Sequence, residues 1–410
     1  MEGLLTLLKI AIISPSAPPL SLGGIQASHY NLYKAFKEQG YNVVMFTHGD
    51  HGYKNHLPED GIKRFGTPIL FLKLINFFVP RLFRFHGIAF QVKDVILSQI
   101  GSYRLTSALK KYEPDIIIVP DQGSPLLSIR KPKRTRVIFV SHHNPLRFIN
   151  EPLLGLHSIR DAQLAGKIEL YTLKKVDAVI CPSNYMRTFF LENCQFTGLV
   201  DVIPNVIDEK TIENIPPFDL HKMLGLPADA IIIYIPSAGS VYKGRNYVFE
   251  IVRRLSNVNN NRIIGFYLSG YIDPLLKHEL SLLKSNAIVF APGMTEYLKN
   301  VSYVKACSFC ISPTLIENFS MAILEAIFCG LPVIAFNVGG NSDIIQDGNN
   351  GHLVDMLDIE SLVGAAKQLL TNPELLIKMQ DRCTKSVKGK FTSVPIIEHY
   401  EKCIRQLLKN

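Results

Sequence analysis

The stretch from 309 to 344 constrains the chain more than any other. A short apolar run, Phe309-Cys310-Ile311-Ser312, stops at Pro313, with the length and composition of a buried strand. A loop carrying Glu317-Asn318-Phe319 follows. A helical pattern over 321–329 ends at Gly330 with Pro332 beyond, the usual stop signals. Ser320 or Asn318 can cap its start, because a short side-chain oxygen accepts from the unpaired N–H groups there. A second apolar run, 333–336, leads into Gly339-Gly340-Asn341-Ser342-Asp343. Strand, loop, helix, strand and glycine turn make a piece of parallel α/β sheet, and ligands of such sheets bind beyond the carboxyl ends of the strands.

Two carboxylates fall on that edge, Glu317 in the loop and Glu325 just over a turn into the helix. At ~1.5 Å of rise per residue they are at most roughly 12 Å apart, a span that fits a diphosphate bridging two sugars. The helix start between them offers unpaired N–H donors and partial positive charge to an anion. Taken alone, two glutamates at this spacing are more often a solvated helix face. The second glycine turn beside the first shifts the balance toward a site.

Glu317 through Glu325, followed by Cys329-Gly330-Leu331-Pro332-Val333-Ile334-Ala335 and Gly339-Gly340, resembles the retaining glycosyltransferases of family-4 type, which have the glycosyltransferase-B fold. The resemblance is dense over 231–354 and thinner over 9–208. It implies an α/β protein of two Rossmann-like, doubly wound parallel-sheet domains facing across a cleft. The expected division is 1–203 on the acceptor side, 204–390 on the nucleotide-sugar donor side, and a helix over 391–410 crossing back to the first domain. By the same resemblance Glu317 holds hydroxyls of the transferred sugar, Glu325 holds ribose hydroxyls, and the loop at Gly293-Met294 lies against the base.

The composition agrees with that outline. A chain of 410 residues with 47% hydrophobic content is too long for one ordinary core and ample for two. Forty-four basic residues against 35 acidic give a net charge of +9, which suits an anionic partner without choosing among nucleotide, nucleic acid and membrane. The basic residues are dispersed and no nucleic-acid motif is present, so no nucleic-acid partner is expected. Seven cysteines spread over the chain point to a reducing compartment rather than a disulfide framework. Cys307 and Cys310 lie in or beside the apolar run before Glu317, and no second pair follows at zinc spacing, so they are read as core. Residues 1–8 lack a basic start and a cleavage pattern, and no signal peptide is predicted. No uninterrupted apolar stretch reaches about 18 residues, and no membrane span is predicted.

Along the first half, strands are expected over 9–14, 43–47, 115–119, 137–140, 178–181 and 200–203, with a helix over 29–39 after Gly23-Gly24. In the family the matching glycine loop lies under the donor phosphates. A simple tight turn explains Gly23 and Gly24 equally well from the residues alone. His142 and His143 stand at a strand end, where an imidazole can handle a proton or a phosphate. They resemble the family's first-domain histidine, but successive strand side chains point opposite ways and the sequence does not separate the two.

In the second half, strands are expected over 231–235, 263–269 and 287–290, and helices over 296–306, 363–370, 373–386 and 394–408. The loop after the first of these strands contains Lys243-Gly244, matching the family's Lys-Gly. The family's preceding Arg is replaced by Ser240, and Arg245 is available to substitute, since a guanidinium binds phosphate oxygens in pairs. Lys243, Arg245 and the backbone around Asn318, Phe319, Ser320 and Met321 are thus the expected diphosphate grip. No Asp-x-Asp occurs in the chain, and the resemblance implies a metal-free grip with no bound cofactor. Retention without an evident side-chain nucleophile implies attack by the acceptor on the leaving group's own face.

Segment 66–97 interleaves phenylalanines and leucines with Lys73, Arg81, Arg84 and Lys93. Such a surface can lie in a bilayer interface, or form a partly buried helix pair. Pro80 is expected to break or kink any helix there. The implied function is transfer of a sugar from a nucleotide-diphosphate sugar to a glycan or lipid-linked acceptor. The implied location is the cytoplasm, peripheral to the inner face of the membrane. The missing Arg also allows a non-catalytic nucleotide-sugar-binding or partner subunit of the same fold.

Overall fold

The computed structural model describes residues 6–20, 23–51, 61–83, 90–150, 159–258, 262–283 and 287–409. Arg84 and Phe85 of the predicted interfacial segment lie outside the described residues. The chain divides into two compact units, Met1–Val206 with Ser393–Asn410, and Ile207–Thr392.

The first unit is built on seven strands: β1 (Lys9–Ser14), β2 (Asn42–Thr47), β3 (Ile62–Arg64), β4 (Ile116–Pro120), β5 (Arg136–Val140), β6 (Ala178–Cys181) and β7 (Leu199–Val202). They form one parallel sheet in the order β3-β2-β1-β4-β5-β6-β7. Its helices are α1 (Gly24–Glu38), α2 (Ile69–Phe83), α3 (Gln91–Tyr112), α4 (Ile159–Thr172) and α5 (Asn184–Asn193). Both sheet faces are covered. Ile10 and Ile12 enter one core and Ala11 and Ile13 the other, which is why β1 reads as an unbroken apolar run.

Helix α1 begins five residues before the expected start, and α2 runs through Pro80 rather than breaking at it. Proline leaves one carbonyl a turn earlier without its donor. Here that carbonyl lies in the last turns of the helix, where few intrahelical bonds remain to be lost.

The second unit opens with α6 (Glu209–Asn214) and α7 (Leu220–Leu224). It is organised on β8 (Ile231–Ile235), β9 (Ile264–Ser269), β10 (Ile288–Gly293), β11 (Phe309–Ser312), β12 (Val333–Phe336) and β13 (Gly351–Val354). Their order, all parallel, is β10-β9-β8-β11-β12-β13. Helices α8 (Arg245–Ser256), α9 (Pro274–Ser281), α10 (Tyr297–Val304), α11 (Met321–Phe328), α12 (Asn341–Ile344), α13 (Ile359–Thr371) and α14 (Pro373–Val387) cover its two faces. The closing helix, α15 (Ser393–Lys409), belongs to the first unit. It lays Ile396, Ile397, Tyr400, Cys403, Ile404 and Leu407 into that unit's core, with Tyr400 edge-to-face on Phe36 at 5.9 Å.

Candidate functional site

In the second unit the strand order turns around between β8 and β11: β9 and β10 extend to one side, β12 and β13 to the other. The loops beyond these two carboxyl ends therefore diverge and leave room for a ligand. They are 236–244 and 313–320, the two stretches singled out from the sequence.

Backbone contacts fix these loops against one another. The Tyr242 carbonyl accepts from Leu315 N–H at 2.9 Å and Ile316 N–H at 3.3 Å. Gly244 has φ +81°, and a Cβ there would fall 1.9 Å from the Pro313 carbonyl oxygen. Gly339 has φ +54°, and its Cβ would fall 1.8 Å from the carbonyl oxygen of Glu317. Both positions require glycine, for backbone conformation and for close approach.

The clamped loops hold one ion pair at the switch point. Lys243 Nζ donates to Glu317 Oε2 at 2.5 Å, and the Asn318 N–H donates to Glu317 Oε1 at 3.0 Å. The pair is only partly shielded from water. Ser320, not Asn318, caps α11, accepting from the Ile323 N–H at 3.3 Å. Asn318 Oδ1 is buried without a partner among the described residues. The Phe319 ring is core, packed on Phe391 at 5.6 Å, and the Met321 side chain is buried. These two residues therefore offer a ligand only backbone. The N–H groups of Met321 and Ala322 have no intrahelical acceptor at a helix start.

Glu325 lies a turn into α11 and accepts from the Tyr297 hydroxyl at 3.2 Å. Burial pushes its carboxyl up to about 7, with the Tyr297 bond pulling the other way. Gly293 ends β10 with φ +83°, and the Met294 side chain is 71% exposed. Three residues further on, α10 begins with Tyr297. The loop after β10 and the second carboxylate are thus joined by one hydroxyl.

Arg245 is placed differently from the expectation. Its Nε and a terminal nitrogen hold Asp273 in a fork at 2.8 and 3.0 Å, and Glu279 lies 3.3 Å away. Hydrogen bonding to Arg245 draws the Asp273 carboxyl down to about 2. Asp273 also caps α9 through the N–H groups of Leu275 and Leu276. The guanidinium thus joins α8 to α9, and Lys243 is the cation of this loop that pairs at the switch point.

In the first unit, Gly23 precedes α1 in an extended conformation, and a Cβ on Gly24 would meet nothing within 4 Å. Neither position is glycine for backbone reasons. His142 and His143 follow β5 and separate clearly. His142 is buried, its Nε2 3.1 Å from His29 Nε2. Burial, with His29 nearby, holds His142 well below the usual imidazole value, and burial lowers His29 to about 4. Two neutral rings joined this way share one proton, so one donates and the other accepts. His143 is half-buried, with Nε2 2.6 Å from Gln91 Oε1.

The turn carrying both rings is tied by Asp121, which accepts from the backbone N–H groups of His143 at 2.6 Å and Asn144 at 2.9 Å. Burial pushes the Asp121 carboxyl up to about 6 and, with the Asp121 charge, pushes Glu169 well above the usual range. His29, Asp121 and Glu169 were not anticipated as members of this edge. Asp121 alone gave a signal, as a polar residue directly after a buried strand.

Comparison with known proteins places these features in a family. The family model described as Glycosyltransferase Family 4 matches residues 22–211, and that described as Glycosyl transferases group 1 matches 219–389. An uncharacterised glycosyltransferase of Methanocaldococcus jannaschii is 22% identical over 97% of each chain. The Escherichia coli UDP-Gal:α-D-GlcNAc-diphosphoundecaprenol α-1,3-galactosyltransferase is 25% identical, over 78% of this chain and 81% of that one. The structure of sucrose-phosphate synthase from Thermosynechococcus elongatus superposes with a TM-score of 0.73 at 20% identity, covering 98% of this chain and 99% of that one. The fold is the glycosyltransferase-B fold. With a family model matching each half, the chain belongs to the family-4-type glycosyltransferases.

Proposed function

We propose that the protein is a retaining hexosyltransferase that takes a sugar from a nucleotide-diphosphate sugar and gives it to a glycan or lipid-linked acceptor, without a metal or other cofactor. The observation that carries this reading is the Lys243–Glu317 pair, held by two obligatory glycines at the strand-order reversal and beside a helix start. A diphosphate arriving there meets an ammonium group and outward-pointing N–H groups. Fixed donors aimed at the charge that develops on the leaving group supply the main acceleration. Lys243 then exchanges one anion for another, releasing Glu317 to accept from hydroxyls of the transferred sugar. Glu325, when ionised, accepts from ribose hydroxyls. Within the first unit, the neutral state of His142 suits a hydrogen-bond partner better than a fixed charge. The name of the Escherichia coli relative contains a UDP-sugar donor and a diphosphoundecaprenol-linked acceptor, and a lipid-linked acceptor of that chemistry implies work at the cytoplasmic face of a membrane.

The test is incubation of the purified protein with UDP-, GDP- and ADP-sugars in the presence of a chelator. Release of nucleoside diphosphate, and transfer with the anomeric configuration kept as read by NMR, is the expected result. A second reading, a non-catalytic subunit that binds nucleotide sugar or a partner, is favoured by Ser240 in place of the family's Arg and by the pairing of Arg245 with Asp273. Nucleotide binding with no donor turnover under any of these conditions would select it.

A further inference from the structure

Helix α2 is apolar nearly all the way round, yet few of its described side chains turn inward. Val79 is buried and Leu72 and Ile75 are half-buried, a single narrow stripe. Ile69, Leu70, Phe71, Leu74, Phe77 and Phe78 are exposed, Leu70 by 68% and both Phe71 and Phe77 by 51%. Single exposed apolar residues are ordinary, but six on one helix form a contiguous patch of the kind that marks an interaction surface.

The surface charge that the segment itself carries has one sign. From Gly61 to Lys93 the chain contains no Asp or Glu, while Lys63, Lys73, Arg81, Arg84 and Lys93 fall within it; Arg64 is buried and paired with Asp50 and adds nothing to the surface. Lys73 and Arg81 are exposed on α2 itself. The Arg81 guanidinium lies 3.7 Å over the Phe77 ring and donates to the Phe77 carbonyl at 2.9 Å. The charge itself thus stacks on the exposed ring, a cation–π contact at the surface of the patch. Phe77 and Phe78 meet edge-to-face at 5.1 Å.

We propose that α2 is an interfacial anchor, lying flat in the surface of an anionic lipid bilayer. Phe71, Leu74, Phe77 and Phe78 enter the acyl boundary, and Lys73 and Arg81 meet the headgroup phosphates. At 15 residues the helix is about 22 Å long. Among the described residues no helix is long and apolar enough to cross a membrane, so α2 lies on the bilayer rather than through it. Charge decides against a second copy of the chain as the occupant. A two-fold contact through this face would bring Lys73 and Arg81 of each copy together with no acidic residue of the segment to pair them. This names the element and the lipid chemistry behind the membrane location proposed above, and it is tested without any sugar donor, so either reading can fail alone.

The experiment is flotation of the full chain with vesicles of phosphatidylcholine alone and of phosphatidylcholine with phosphatidylglycerol. The wild type is expected to float with the anionic vesicles and weakly or not at all with the neutral ones. Changing Leu74→Ser, Phe77→Ser and Phe78→Ser together should lower partitioning by at least about ten-fold with an unchanged thermal melt, because the replaced side chains are exposed. Changing Lys73→Ala and Arg81→Ala should remove the preference for anionic vesicles. Equal flotation of the triple variant overturns the proposal, and so does failure of the wild type to float. A wild type that is dimeric by light scattering, with a monomeric triple variant and no flotation of either, overturns it in favour of a second copy.

Discussion

At the carboxyl edge of the second unit's sheet, charge is displayed: Lys243 faces Glu317 and Arg245 faces Asp273, with water reaching both pairs. At the same edge of the first unit it is withheld. His29 and His142 are buried and neutral, and Asp121 and Glu169 are pushed toward their protonated forms by burial. Two sheets of the same architecture thus place opposite electrostatics on corresponding edges. A displayed ion pair can exchange partners with an incoming anion at small desolvation cost. A buried neutral histidine pair cannot take on charge cheaply, but it holds a hydrogen-bonding ring at a defined angle.

The comparison is broken most directly at Lys243. Lys243→Ala should lower turnover by about 100-fold, the typical effect of deleting one fixed donor to a developing charge, while the thermal melt stays near wild type. Turnover within two-fold of wild type would show that the displayed charge is not used.

Next in size is Glu325. If ribose binding needs its ionised form, nucleotide affinity should rise with pH through about 7, where the carboxyl titrates in the free protein. Glu325→Gln should weaken nucleotide binding by about ten-fold at pH 8 and abolish that pH dependence. Calorimetric titration with UDP, GDP and ADP at pH 6 and 8 reads both.

The withheld charge of the first unit predicts stability rather than binding. Glu169 holds its proton far above its ordinary value of 4.5, so the native chain binds more protons than the unfolded one. The carboxyl's contribution is fully present below 4.5 and is lost as pH rises toward the folded value. Glu169→Gln cannot ionise and should be more stable than wild type by about 1 kcal/mol at pH 8, with the gain disappearing near pH 4. The histidines act in the other direction. The contribution of His29 is present above 6.5 and is lost as pH falls through about 4. Urea unfolding across pH 4–8 separates the two.

The smallest expected effect sharpens the difference between the two cations of one loop. Arg245→Ala should leave nucleotide affinity within about two-fold and cost about 1 kcal/mol of stability through the lost fork onto Asp273. A ten-fold loss of affinity would mean that the guanidinium leaves Asp273 for the ligand.

Legibility followed the same division. The second unit's site elements were readable because strands buried on both faces print as unbroken apolar runs, as at β8, β11 and β12, and because glycine and proline punctuate them. Helices α3 and α4 were not readable. The buried stripe of α3 includes Ser98, Gly101, Ser102 and Thr106, and that of α4 includes Asp161, Gly166 and Glu169. Polar and small residues facing a core erase the 3.6-residue hydrophobic period by which a helix is recognised. Two strands escaped for a related reason: β3 has three residues and β13 begins Gly351-His352.

By itself the sequence determined the parallel α/β class, the two-part organisation, the loops that bear Lys243 and Glu317, and the helix that bears Glu325. These follow from local patterns of burial and chain reversal, which each segment carries within itself. Only the tertiary structure decided that Arg245 turns to Asp273, that His142 rather than His143 is buried against His29, and that six apolar side chains of α2 stay exposed. Each of these depends on residues far apart in the chain, or on how much surface the rest of the fold leaves to cover, and neither is written in any local stretch.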